Sequence, residues 1–183
     1  MPSNCLIVID MQNDFLDRLE GISRENLISR TNQLISCFRA AGCPVIWVQQ
    51  SFSSDLSDAF LEMRDRSISV VIDGTEGAEL DSDLAKHSED TVITKKRYSA
   101  FFGTELGQIL RNLAPDRITL AGVNTHACIR TTAIDAYQRD IRVLIASECI
   151  DSNDPEHARI SMAYMNNKIA VALTNDEISD ALT

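Results

Sequence analysis

Short unbroken apolar runs alternate along the chain with longer segments whose apolar residues recur every three or four positions. Residues 5–9 (CLIVI), 45–48 (VIWV), 91–94, 118–123, 141–146 and 168–173 are the short runs. Runs of this length with little polar alternation predict strands covered on both faces, as in a parallel sheet. Leu27, Ile28, Leu34, Ile35 and Phe38 fall at helical spacing across 24–41, with Ser23 as N-cap and Gly42 as terminator. Leu106, Ile109, Leu110 and Leu113 mark a helix over 104–113, and text from His126 onward is helical. Pro155 opens another helix, where a missing N–H costs nothing, and 176–182 closes the chain. Residues 51–90 are less regular, rich in Ser, Asp and Gly, with only a short helix expected near 58–63. Strand and helix in alternation predict an α/β fold. It is a three-layer α/β/α arrangement around a six-stranded, mostly parallel, Rossmann-like sheet, with residues 1–183 as one domain.

In such sheets, ligands bind outside the carboxyl ends of the strands. Asp10 ends the first run, Lys95 follows the third, and the turn Asn124–Thr125 leads out of the fourth. Cys128 falls in the first helical turn after that strand. Unpaired backbone N–H groups there lower a thiol's pKa and supply donors for an oxyanion. Asp10 can accept the thiol proton and Lys95 can balance the charge. Lys96 and Arg97 adjoin Lys95, however, so spacing alone does not choose the cation. Each residue also has an ordinary reading: Cys128 as buried filler, Asp10 as a turn residue, Lys95 as a solvated loop charge.

The net charge of −10 argues against nucleic acid or an anionic membrane as partner. The five cysteines, Cys5, Cys37, Cys43, Cys128 and Cys149, include no zinc or dithiol spacing. An odd count in a chain that can build a full core predicts a reducing compartment. The first residues have no basic segment ahead of their apolar run, and no run approaches the ~20 residues of a membrane span. A cytoplasmic protein is expected. His87, His126 and His157 have no ligand spacing, so neither a metal nor a cofactor is expected.

Three stretches carry a family likeness: LIVIDMQNDF at 6–15, TKKRYSAFFGTEL at 94–106 and LAGVNTHACIRTTAIDA at 120–136. In this order they resemble the isochorismatase-like cysteine hydrolases, a superfamily that includes nicotinamidases and N-carbamoylsarcosine amidohydrolase. The resemblance implies a catalytic triad of Asp10, Lys95 and Cys128, the lysine being the one that immediately follows the strand. It also implies a cis peptide at Val123–Asn124, an oxyanion hole made by the Asn124 and Cys128 N–H groups, and a homo-oligomer, dimer or tetramer. The expected activity is hydrolysis of a C–N bond in a small amide, ureide or carbamoyl compound through a Cys thioester. Phe15, Trp47, Tyr98, Phe101 and His126, in or beside these motifs, are expected to line the substrate pocket.

The chain departs from nicotinamidases, which carry an Asp and several His near the second strand to bind a metal. Here that stretch reads WVQQSFSSDL, so a pyridine-carboxamide substrate is not expected. Isochorismatase proper cleaves a vinyl ether without needing a thiol, so a Cys favours attack at a carbonyl. Two other classes compete: a redox-responsive thiol protein, which needs a resolving cysteine absent from this motif, and a noncatalytic small-molecule binding module.

Overall fold

Along the first strand, β1 (Asn4–Ile9), alternate side chains go to opposite faces and sort the core into two layers. The computed structural model describes residues 4–19 and 21–182. Cys5, Ile7 and Ile9 join one buried cluster, and Leu6 and Val8 the other. The remaining strands are β2 (Val45–Gln50), β3 (Thr91–Lys95), β4 (Arg117–Val123), β5 (Arg142–Asp151) and β6 (Val171–Leu173). They form one sheet in the order β3-β2-β1-β4-β5-β6, and every pair is parallel. The helices are α1 (Asn13–Leu16), α2 (Arg24–Ala40), α3 (Leu61–Arg66), α4 (Leu106–Leu113), α5 (Arg130–Tyr137), α6 (Pro155–Met165) and α7 (Asn175–Asp180). α2 and α7 cover the face that buries Leu6 and Val8. α4, α5 and α6 cover the face that buries Ile7 and Ile9. This is the three-layer α/β/α fold that the alternation predicts.

The differences from the sequence reading are local. β6 begins at Val171 rather than 168, because the chain first makes a tight turn with Asn167 in the left-handed region (φ 62°) and its N–H on Ala170 O. The short helix lies at α3 rather than at 58–63. Asp58 instead accepts the Ser53 N–H and pairs with Lys96, which holds it in a turn. α1 and a 3₁₀ turn at Glu76–Ala78 had no periodic signal.

Those unforeseen pieces fasten the irregular segment to the sheet. Gln12, fully buried, donates to Gln50 O (2.7 Å) and Ala78 O (2.6 Å) and accepts the Gln50 N–H (2.7 Å). Asn13 donates to Glu76 O, and Asp14 accepts the Val71 N–H. Three consecutive polar side chains thereby anchor the 71–80 stretch beside the carboxyl end of β1. Beneath it Phe52, Ala59, Met63, Val70 and Val71 form a small satellite core.

The order of strands puts the crossover reversal between β1 and β4, and their close approach depends on Gly122. Gly122 pairs with Ile9, has φ 115°, and a Cβ there would lie 1.9 Å from Ile9 O. No side chain fits that space without separating the strands. Gly122→Ala is expected to destabilise the fold by more than about 2 kcal/mol, combining backbone strain with a steric clash. Gly74→Ala, where φ is 75° but the space is open, should cost only about 1 kcal/mol. Urea midpoints of the two variants check this, and equal losses would contradict it.

Candidate active site

Asp10 leaves β1 with φ 54° and is 1% exposed. Lys95 is the last residue of β3 and is also 1% exposed. One strand lies between them, so about 10 Å of sheet separates β3 from β1. A long side chain is required to cross the end of β2, and lysine supplies one. Its ammonium stands 2.8 Å from Asp10 Oδ2 and 3.3 Å from Cys128 Sγ. The contact with Asp10 is a close ion pair rather than an aligned hydrogen bond. Neither carboxylate oxygen receives a hydrogen bond of ordinary geometry from the described residues. Lys96 points elsewhere, to Asp58 (2.8 Å) and Ser51 O.

Cys128 arrives from β4. The Val123–Asn124 peptide is cis, and Thr125–Ile129 forms a single π-helical turn that runs into α5. Asn124 O accepts the N–H groups of Ala127 and Ile129, while the Asn124 N–H has no acceptor among the described residues. The end of β5 clasps this turn. Asn153 donates its N–H to Asn124 Oδ1 (3.0 Å), and the Thr125 hydroxyl donates to Asp151 O (3.1 Å). Position in the chain gave no sign of Asn153 or Asp151; only the pairing of β4 with β5 brings them here.

The electrostatics of the cluster differ from the sequence expectation in one respect. A helix-start position predicted a thiol of lowered pKa. Instead, burial pushes the Cys128 thiol up to about 12, with the Asp10 carboxylate adding to the rise and Lys95 opposing it. Burial likewise raises Asp10 above the ordinary carboxylate value, against the pull of Lys95. Burial alone would lower Lys95, but Asp10 and Cys128 outweigh it and its pKa is raised. The resting site therefore holds a neutral thiol and an ammonium beside a carboxyl group of raised pKa.

Of the residues expected to line a pocket, Tyr98 lies by the nucleophile. Partial burial and the nearby Cys128 raise its phenol pKa. Its ring stacks on Phe60 at 4.5 Å, and Phe60 meets Phe52 edge-on at 5.6 Å. Phe52 and Phe60 were missed because they sit in the irregular segment, outside any motif. Phe15 packs on the satellite core that contains Phe52. His126, half-buried, hydrogen-bonds Ser152 through Nδ1, and burial lowers its pKa.

Trp47 and Phe101 are corrections. Trp47 is fully buried on the α2 face, donating its indole N–H to Asp90 Oδ2 (2.8 Å), on the side of the sheet away from Cys128. Phe101 is buried in the core against α4, its ring under Arg139 (4.8 Å), so it packs the interior rather than presenting a surface to a ligand. Among the described residues, no group of three or more His, Cys, Asp or Glu side chains converges to hold a metal ion. None of the helices among the described residues is long and apolar enough to cross a membrane.

A family model described as the isochorismatase domain matches residues 4–177. A probable inactive nicotinamidase of Arabidopsis thaliana is 32% identical over 90% of this chain and 89% of its own. The crystal structure of an isochorismatase family protein from Desulfovibrio vulgaris superposes with a TM-score of 0.87 at 28% identity, covering 100% of this chain and 99% of that one. N-carbamoylsarcosine amidase from Thermoplasma acidophilum superposes with a TM-score of 0.80 at 26% identity, covering 95% and 97%.

Two expected outcomes follow from the buried charges. Asp10→Asn and Lys95→Met should each destabilise the fold by about 3–5 kcal/mol, because each strands the other charge, and the double variant should recover part of that loss. Lys96→Met, on a partly exposed pair, should cost less than about 1 kcal/mol. A double-mutant cycle by urea denaturation measures the coupling; additive losses would show that the pair does not interact. In the resting protein, iodoacetamide labelling of Cys128, read by mass mapping, should be slow at neutral pH and still rising above pH ~9, past the ordinary thiol value. A plateau near neutrality would contradict a thiol held neutral by burial.

Proposed function

The chain belongs to the isochorismatase family, and on that premise we propose that it is a cysteine hydrolase that cuts a C–N bond in a small amide, ureide or carbamoyl compound. The observation that carries this reading is the placement of the Lys95 ammonium 2.8 Å from Asp10 and 3.3 Å from the Cys128 sulfur, with all three side chains buried. Three groups from three strand ends meet with a nucleophile, a base and a balancing cation, the set that thiol attack on a carbonyl requires. Similarity to an N-carbamoylsarcosine amidase supports a carbamoyl or amide carbonyl as the electrophile.

The chemistry can be written on these residues. As Cys128 Sγ bonds to the substrate carbonyl carbon, Asp10 takes the thiol proton. The carbonyl oxygen becomes an oxyanion, facing the backbone N–H groups of Asn124 and Cys128. Asp10 returns the proton to the leaving nitrogen, the C–N bond breaks, and the acyl group remains as a thioester. Water then attacks that thioester while giving a proton to Asp10. The collapsing intermediate expels the Cys128 sulfur, which recovers the proton. Lys95 keeps its charge throughout and offsets the single negative charge that passes between Asp10, the carbonyl oxygen and the departing sulfur. Tyr98 and Phe60 offer a flat apolar wall beside the thiol.

Turnover of an amide, ureide and carbamoyl panel by wild type, Cys128→Ala and Asp10→Asn tests the proposal. At least one compound should be hydrolysed by wild type and none detectably by Cys128→Ala. Asp10→Asn should lose about 10²–10⁴ in rate, the usual scale of general acid–base catalysis. Because Asp10 must start ionised and its pKa is raised, kcat/KM should fall on acidification at a pH above the ordinary carboxylate value of about 4. Undiminished turnover in Cys128→Ala would reject the thioester route.

A further inference from the structure

At the end of the sheet opposite the site just described, Arg117 begins β4 and Arg142 begins β5, and the two residues are direct neighbours across the parallel ladder. They line a depression of about 780 Å³, which Lys168 enters from the turn before β6. Among the described residues, the half-buried or buried Arg24, Arg39, Lys96 and Lys95 each have a carboxylate, Asp81, Asp90, Asp58 and Asp10 respectively, whereas Arg117 is half-buried and Arg142 and Lys168 are exposed. Arg117 and Arg142 have no carboxylate partner among the described residues, and the only side-chain contact of Lys168 is with the Tyr164 ring. Asp140 is the single carboxylate in the lining.

Three cations against one acid, in a chain of net charge −10, repel one another unless an anion joins them. Because Arg117 and Arg142 are paired across the ladder, their side chains leave the same face of the sheet, and guanidinium forks suit a tetrahedral oxyanion. The wall beside them includes the half-exposed ring of Tyr137, with the Asn167 amide on the far rim. The volume falls within the range of small-ligand pockets, about 300–1,000 Å³. With Asp140 the three cations carry a net charge of +2, of which a carboxylate would neutralise half and a phosphomonoester close to all, and the overall negative charge disfavours a nucleic acid.

We propose that the depression between the amino ends of β4 and β5 is a second binding site, which takes a small organic phosphate between Arg117, Arg142 and Lys168. The phosphate lies between the arginine forks, and the organic part lies on Tyr137. This site is independent of the hydrolytic reading, because it shares no residue with the Cys128 cluster.

Calorimetric titration of the full chain with phenyl phosphate at constant ionic strength tests it, with inorganic phosphate and benzoate as comparison ligands. Phenyl phosphate should bind saturably, inorganic phosphate more weakly, and benzoate weakest of all. Arg142→Gln, an exposed change that should not disturb folding, should weaken phenyl phosphate at least about tenfold, the scale of one hydrogen bond to a charged group. Arg117→Gln/Arg142→Gln should abolish binding while circular dichroism stays native. Cys128→Ala should leave affinity unchanged. No saturable binding, equal affinity in Arg142→Gln, benzoate binding as tightly as phenyl phosphate, or loss of binding in Cys128→Ala would each overturn the proposal. So would an oligomer that dissociates in the double variant while wild type binds no phosphate, because a second copy would then occupy the depression.

Discussion

The ion pair between Lys95 and Asp10, buried with the Cys128 sulfur against it, is the constraint to which much of the molecule answers. Two charges removed from water are tolerated only when each compensates the other, and breaking such a pair costs more than forming it gains. The fold must therefore bring a residue from β3 to one after β1 across the end of β2, and hold both there. Lysine spans that distance; a shorter cation on the same strand would not. The pair also sets the charge state of the third member. Burial raises the thiol, Asp10 raises it further, and Lys95 only partly offsets them.

Three features around the cluster hold that arrangement in place. Gly122 lets β4 approach β1 at the point where both strands end, since its missing side chain is the space that Ile9 O occupies. The Gln12, Asn13 and Asp14 side chains then tie the 71–80 stretch over the carboxyl end of β1. On the other flank, the end of β5 holds the Asn124 turn through Asp151 and Asn153. The turn that carries Cys128 is thus held against the sheet by backbone groups of Asp151 and Asn153.

Much of this was legible in the sequence for physical reasons. Strands buried on both faces write themselves as unbroken apolar runs, and in a parallel sheet everything at their carboxyl ends shares one edge. That rule brings Asp10, Cys128 and the stretch Lys95–Arg97 to one edge on paper, while the choice of Lys95 over its two basic neighbours came from the family resemblance. The pocket residues could not. Trp47 and Phe101 lie beside the motifs in sequence, but proximity does not say which face of the sheet a side chain takes. Trp47 shares the face of Val45, toward α2. Phe52 and Phe60 sit in a segment organised by hydrogen bonds to Gln12, Asn13 and Asp14, a tertiary device without periodicity. The sign of the thiol shift was hidden for the same reason, because desolvation is a property of the packed site and the helix start is only one contribution to it.

That sign bears on which chemistry the cysteine suits. A peroxide-sensing or disulfide-exchanging thiol must be a thiolate before its partner arrives, and is accordingly exposed and of low pKa. Cys128 is 4% exposed and held neutral, and the motif that carries it has no resolving thiol. A neutral thiol facing a carboxylate of raised basicity is poorly reactive by itself. In the proposed reaction it would become a nucleophile only once a carbonyl is within reach, because the proton can then pass to Asp10 as negative charge moves onto the carbonyl oxygen. Binding energy from the substrate would then drive an ionisation that the resting site opposes, so strong interactions appear with the reacting state rather than before it. Such a thiol is protected from oxidation and alkylation between turnovers, and this protection follows from the same burial that raises its pKa.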